Sequence, residues 1–346
     1  MSAASALAEA LSSGVRPRID AAVERACSEG TLRPFGDAWI SAHDDDEAWS
    51  TIALCPSWRD AGFLPFHAKR HSATGSDADV LTALSGAIGS IPQLGAPPLW
   101  VGDKWLVTLH LPRSINLAQV LEGGGETVAI IRHCLDSLAA FADREALWQT
   151  AIAEIGCKPP PAFPLVKRYE AACDQLKRIY GDADLHGLPG LAPPEKASGS
   201  LALFCDPKPA NFIRPTGDAS RIYRIDLDLM TYSAPLSLQA AIAAFSVPSE
   251  PRGLKRQETF VLRLAQWKAW CAARSAGPED EQLRIVLYHL IRNLASAWLQ
   301  RNTGKAHTMA DMLIQLIDTE PHFRSLRHFR DTLARTLISG SAEAPP

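Results

Sequence analysis

The hydrophobic period of this chain changes near Leu111, and that change sets the class of fold. Before it stand five short apolar or alternating runs: DAWISAH (37–43), WSTIALC (49–55), FLPFHAKRH (63–71), PLWVG (98–102) and KWLVTLHL (104–111). Turn-rich breaks such as HDDDE, SWRDAG and VGDK separate them. Such runs predict a meandering antiparallel sheet. One helix, from about Asp77 to Ile88, interrupts it between the third and fourth strands. After Leu111 the apolar residues recur at three- and four-residue steps. They predict helices over 127–155, 165–180, 236–246, 255–274, 279–301, 308–318 and 322–338. The expected class is α+β, a small antiparallel sheet followed by a larger, mainly helical part. Residues 1–30 read as a helical extension, 31–112 as the sheet part, 113–338 as the helical part and 339–346 as a frayed tail.

Composition narrows the classes of function. The chain has 346 residues, 47% apolar and 21% charged, enough for a real core and too apolar for a disordered protein. A net charge of -3 provides no field for nucleic acid or lipid, so neither is expected as a partner. Seven scattered cysteines with no CxxC pair argue against a disulfide framework or a zinc knuckle and for a reducing compartment. The opening MSAASALAEALSS has neither the basic region nor the apolar core of a secretory signal. No apolar stretch approaches the ~20 residues of a membrane helix. The expected location is cytoplasmic.

The stretch LALFCDPKPANFIRPTGDASRIYRIDLDLM (201–230) carries the chemistry. Its two apolar runs, Leu201 to Phe204 and Ile222 to Ile225, read as the strands of a hairpin, each ending on acidic residues. Buried aspartate is costly without a partner. Asp206 and Asn211 are five residues apart across the proline-stiffened loop DPKPAN, which can turn both side chains to one point. If the strands pair, Asp226 faces the same point, with Asp228 two residues on along the same strand face. Phosphoryl transfer needs a carboxylate to orient a hydroxyl, oxygen ligands for magnesium and cations on the phosphates. Lys208, between Asp206 and Asn211, can neutralise charge on the moving group. Aspartate, asparagine and proline are also what ordinary turns are made of, so it is the joint pattern that carries weight.

DxxxxN followed by a strand ending in aspartate resembles the protein-kinase-like fold. More narrowly, it resembles the aminoglycoside phosphotransferase and choline kinase group of small-molecule kinases. The order of elements follows that fold over roughly residues 35 to 300, while specific motif identity is confined to 201–230. The resemblance implies two lobes, with Asp206 the catalytic aspartate, Asn211 a magnesium ligand, and Asp226 the aspartate bridging metal and phosphates with Asp228 assisting. It also implies Mg2+ as cofactor, ATP or GTP as phosphoryl donor, and a small hydroxylated acceptor of the antibiotic, sugar or amino-alcohol class. Lys208 matches the loop lysine of Ser/Thr protein kinases better than the usual residue of the small-molecule group. Phe204 and Cys205 stand where that group usually has His-Gly. Leu227-Asp228 follows Asp226 in place of Phe-Gly, and no Ala-Pro-Glu comes after, so a protein kinase fits less well. Ser237, in SAPLSLQAA, stands where an aspartate often anchors the following helix.

On the nucleotide side, the third strand supplies Lys69 or, by alternation, Arg70 for the phosphates. Asp77, or Asp79, opens the next helix as the lysine's partner. These residues also read as strand-edge charges and a helix cap. The first turn holds Asp44, Asp45, Asp46 and Glu47. Set against a triphosphate, they would repel it by about 4 kcal/mol per pair at about 4 Å and intermediate dielectric. That turn and the missing His-Gly leave open an alternative, a kinase-shaped binding or scaffold protein without turnover. The loop 181–200 reads as a possible lid over the acceptor. EGGGE (122–126) lacks a following GK[ST] and reads as a helix end. Eight basic residues between Arg284 and Arg335 read as solvated helix faces or as a preference for an anionic substrate. Trp267, Trp270 and Trp298 fall at helical spacing and are expected in the core.

Overall fold

The computed structural model describes residues 32–35, 38–41, 51–53, 66–70, 84, 98–102, 105–109, 114–122, 127–195, 200–215, 222–224, 232–246, 256–274 and 276–339. The helices expected over 3–28, the acidic turn 44–47 and the tail beyond Ser339 lie outside them. Two compact units are present. One is drawn from Met1–Ile115, Arg144–Pro159 and Ile213–Thr231, the other from Asn116–Asp143, Pro160–Phe212 and Tyr232–Pro346.

In the first unit, β1 (Leu32–Phe35) pairs antiparallel with β2 (Ala38–Ser41), Leu32 lying opposite Ser41. Strands β3 (Thr51–Ala53), β4 (Phe66–Arg70), β5 (Pro98–Gly102) and β6 (Trp105–Leu109) form an antiparallel sheet in the order β3-β4-β6-β5. This corrects the expected meander, because β4 bonds to β6 and β5 takes the edge. Pro98 opens β5 and has no N–H to give a ladder, which suits an edge strand, and a bulge follows between Pro98 and Trp100. Of the helix expected over 77–88, Leu84 is described, and it is helical and buried.

The hairpin expected from 201–204 and 222–225 is also corrected. The strands β7 (Ser114–Asn116), β8 (Leu201–Leu203), β9 (Phe212–Pro215), β10 (Tyr223–Arg224) and β11 (Ser233–Pro235) pair differently. β8 runs antiparallel to β11, with Leu203 opposite Ser233, while a second ribbon has the order β10-β9-β7. FIRP, directly after the loop, gives residues 223–224 a nearer partner than 201–204. Among the strands that were missed, β9 and β11 are four and three residues long and end on Pro215 and Pro235, too short to show a period.

The helices are α1 (Leu117–Glu122), α2 (Thr127–Ala142), α3 (Glu145–Glu154), α4 (Leu165–Tyr180), α5 (Leu236–Phe245), α6 (Arg256–Ala273), α7 (Glu279–Leu299), α8 (Thr303–Thr319) and α9 (Arg327–Ser339). The single helix expected over 127–155 is two. Arg274 takes the Asp143 carboxylate at the break, and a new helix starts as the Trp148 N–H turns to the Arg144 carbonyl. At the centre of the second unit lies α5, LSLQAAIAAF, whose ten residues are all buried, as befits a helix apolar all round. Its alanines allow close approach by α2, α6 and α7. Phe245 packs on Phe260 and Trp267 at 5.6 and 6.2 Å between ring centres. Trp298 is also in the core and donates to the Tyr180 hydroxyl at 2.8 Å. Trp270 departs from expectation, half-exposed beneath Arg274.

The segment read as a possible lid is docked over its described part. It forms two short 3-10 turns, Ala183–Leu185 and Pro189–Leu191, with Leu185 and Leu188 buried. The Tyr169 hydroxyl donates to the Leu188 carbonyl, and Asp184 accepts from Thr332 at 2.9 Å and lies 3.0 Å from His328 Nε2. Gly187, at φ +95, sits so close to helix-side backbone that a Cβ would come within 3.3 Å of the Ser325 carbonyl.

Among the described residues no helix is long and apolar enough to cross a membrane, and the cysteines at 134, 157, 173, 205 and 271 are free thiols. One ion network closes the helical packing. Lys268 of α6 bridges Glu279, at the start of α7, and the buried Glu320 at 2.9 and 2.8 Å. Lys268→Met leaves Glu320 without that cation. Urea unfolding should show a loss of about 1–3 kcal/mol, and an unchanged midpoint would mean the bridge is ornamental.

Candidate functional site

Asp206 follows β8 in the left-handed region, at φ 42, a conformation that costs a non-glycine residue roughly 1–3 kcal/mol unless the surroundings impose it. Aspartate tolerates it better than most residues. Lys208 is extended, and Pro209–Asn211 then forms a 3-10 turn with the Asn211 N–H on the Lys208 carbonyl at 2.9 Å. The turn brings Asn211 back onto Asp206. Its Nδ2 donates to the Asp206 carbonyl at 3.0 Å and to Asp206 Oδ2 at 3.1 Å. Lys208 Nζ donates to the same Oδ2 at 2.8 Å. Asp206 and Asn211 are both buried, at 7% and 3% exposure, while Lys208 remains partly open. With Oδ2 shared by two donors, Oδ1 of Asp206 has no partner among the described residues. With its Nδ2 committed to Asp206, Asn211 has its amide oxygen at the other end.

What holds the loop against this strain is Gln239, a residue the sequence reading missed. It lies fully buried on α5. Its Oε1 accepts from the Cys205 N–H at 2.8 Å, next to Asp206. Its Nε2 donates toward the carbonyls of Ala202, Leu203 and Ala234 at 3.3, 3.2 and 3.5 Å. One amide thus satisfies the ends of β8 and β11 and fixes the entry to the loop. Ser237, expected as the anchor at this place, is buried two residues earlier and offers its carbonyl to Trp267 Nε1 at 3.4 Å. Phe204 and Cys205, where His-Gly was expected, are buried core residues. Phe204 packs 5.2 Å from Phe163.

A basic neighbourhood adjoins the loop. Lys305, in the first turn of α8, is half-buried. Burial, then the charges of Lys208 and Arg292, hold its pKa below the usual lysine value. His289 of α7 is buried, and its pKa falls to about 3, first through burial and then through the charges of Arg292 and Lys305. Arg292 itself is exposed, as expected of a solvated helix face, while Lys305 is half-buried.

Of the residues expected in the site, Asp206, Lys208 and Asn211 come together. Lys69 lies on β4, opposite Thr51 on one side and Leu106 on the other. Asp77, Asp226 and Asp228 lie outside the described residues. Among the described residues no group of three or more His, Cys, Asp or Glu gathers round one point. The oxygens of Asp206 and Asn211 are hard donors of the kind magnesium takes, and one or two side chains with water suffice for that ion.

No family model and no curated protein matches the sequence. Among solved structures, the chain is similar to a choline/ethanolamine kinase family protein from Mesorhizobium loti, at 14% identity over 90% of this chain and 98% of that one, with a TM-score of 0.48. It is also similar to a macrolide 2'-phosphotransferase from Brachybacterium faecium, at 14% identity over 87% and 99%, TM-score 0.46. A third is a choline kinase from Streptococcus pneumoniae, at 10% identity over 91% and 97%, TM-score 0.35.

Two outcomes follow from this geometry. Gln239→Leu removes the hydrogen bonds its amide makes with the Cys205 N–H and the facing carbonyls. Denaturant unfolding should show a loss of about 1–3 kcal/mol, and equal stability would dismiss the clamp. His289 folds neutral, so the unfolded chain binds the extra proton between its ordinary pKa and about 3. Stability from this group is complete above roughly pH 6.5 and falls as pH drops below it. Between pH 7 and pH 5 the wild type should lose about 2 kcal/mol more than His289→Leu. Parallel losses in calorimetry would refute the assignment.

Proposed function

We propose that the chain is a phosphotransferase that moves the γ-phosphoryl of ATP or GTP to a hydroxyl of a small molecule. The observation behind this reading is the geometry at Asp206, a strained, buried carboxylate with one oxygen held by Lys208 and Asn211 and the other left for a substrate hydroxyl. Catalysis of phosphoryl transfer is mostly positioning and charge stabilisation, which such a loop provides. Asp206 Oδ1 orients the hydroxyl and takes its proton. The acceptor oxygen forms its bond to the γ-phosphorus as the bond to the β–γ bridging oxygen breaks, and the nucleoside diphosphate leaves. Lys208 offsets charge on the moving group and keeps the carboxylate oriented. Mg2+, when bound, neutralises phosphate charge; Asn211 and Asp226 would hold it, with Asp228 assisting. Lys69, or Arg70 beside it, would grip the nucleotide phosphates, with Asp77 as its partner.

The test is a magnesium-dependent nucleotide-consumption screen over hydroxylated antibiotics, sugars and amino alcohols. Asp206→Asn keeps the size and the tolerance for the left-handed backbone, so it isolates the chemistry. It should lower kcat by about 10²–10⁴-fold while the protein stays folded. A wild type that consumes no nucleotide with any acceptor, and gains no thermal stability from magnesium-ATP, would instead favour the scaffold reading.

A further inference from the structure

Arg263 of α6 is a cation in the core. It is 3% exposed, and no acidic side chain among the described residues pairs with it. Burial pushes its pKa down to about 10, so it keeps its charge at neutral pH. One side of the guanidinium is accounted for. Nη1 donates to the Ala244 and Ser246 carbonyls at 3.1 and 3.2 Å. That closes the C-terminal end of α5, where the helix dipole is negative. The other side is not accounted for. Nε is buried with no partner, and Nη2 donates to none of the described residues. The neighbours on the same face of α6 are apolar: Phe260 and Trp267, three residues before and four after, are fully buried and pack on Phe245.

Capping α5 needs one nitrogen and leaves the rest of a charged group buried and unmet, which is costly. Nε–H and one N–H of Nη2 run parallel along one edge of the guanidinium plane, the edge that takes two oxygens of one anion. Water at that edge satisfies an N–H without cancelling the charge, whereas an oxyanion does both. We propose that the Nε–Nη2 edge of Arg263 is a binding site for a small oxyanion, a carboxylate or inorganic phosphate, at the C-terminal end of α5. Its occupant ties α6 to the end of the helix whose first turn carries Gln239. The proposal does not rest on the phosphotransferase reading.

The test is thermal unfolding at constant ionic strength, with chloride replaced stepwise by formate or by inorganic phosphate. The wild-type midpoint should climb with the concentration of the oxyanion. A response to formate alone identifies a carboxylate site, and a response to phosphate alone a phosphate site. Arg263→Lys keeps the charge and loses the parallel pair of N–H groups, so the response should need about tenfold more anion or vanish. An anion that settles elsewhere, beside Asp206 for instance, would stabilise Arg263→Lys as well as the wild type, and that result overturns the proposal. So does a wild type that gains no more from formate or phosphate than from chloride. A second measurement needs no variant to fold. The Arg263 Nε–H resonance of the wild type should shift in nitrogen-15 NMR along the same titration, and an unmoved resonance at saturating anion sinks the site. Neither readout involves nucleotide turnover, so either idea can fail without the other.

Discussion

One buried amide, that of Gln239, holds the site to the core. A polar side chain in the middle of a helix apolar on every side is a liability unless all its hydrogen-bonding capacity is met. Here its oxygen takes the Cys205 N–H and its nitrogen faces three carbonyls at the ends of β8 and β11. The amide adds these bonds beside the ladder of two three-residue strands. The amide therefore does two things at once, bracing the short β8–β11 pair and presenting the residue after Cys205, Asp206, in a conformation it would not keep alone. The strain at φ 42 is offset by the packing of α5, whose burial comes from α2, α6 and α7.

The helical part was largely legible in the sequence because its period is long and repeated. Leu165–Tyr180 falls where its spacing places it, and the ends of α5, α6 and α7 lie within two residues of expectation. Amphipathic helices of ten residues or more average out local noise. The strands around the loop offered no such average. β8, β10 and β11 are two or three residues long, and their pairing was decided by which neighbour was within reach rather than by alternation. The same limit hid the order β3-β4-β6-β5, for which Pro98 was the one local clue.

The site divides along the same line. Asp206, Lys208 and Asn211 were legible because a six-residue loop with two prolines can make few shapes, and the one adopted brings acid and amide together. Gln239 was not, since its partners on β8 and at Cys205 lie 34 to 37 residues away in sequence, and a glutamine in a run of alanines carries no local signal. Cys205 shows how such a site replaces a missing motif. Its side chain adds to the core, while its N–H is what the clamp needs, so the backbone does the work and the residue type is free to change.

Charge completes the argument, because the loop alone is nearly balanced. The Asp206 carboxylate is met by one ammonium and one amide, which leaves no net cation for a polyanionic substrate. Any reaction that gathers phosphate beside this carboxylate must draw positive charge from outside the loop. Among the described residues, half-buried Lys305 on α8 lies in the field of Lys208 and Arg292. Burial and like charge work against the Lys305 ammonium, and burial first, then the charges of Arg292 and Lys305, keep the proton off His289. Charge held against burial at Lys305 is the electrostatic counterpart of the left-handed backbone at Asp206, each a local cost that the surrounding packing offsets.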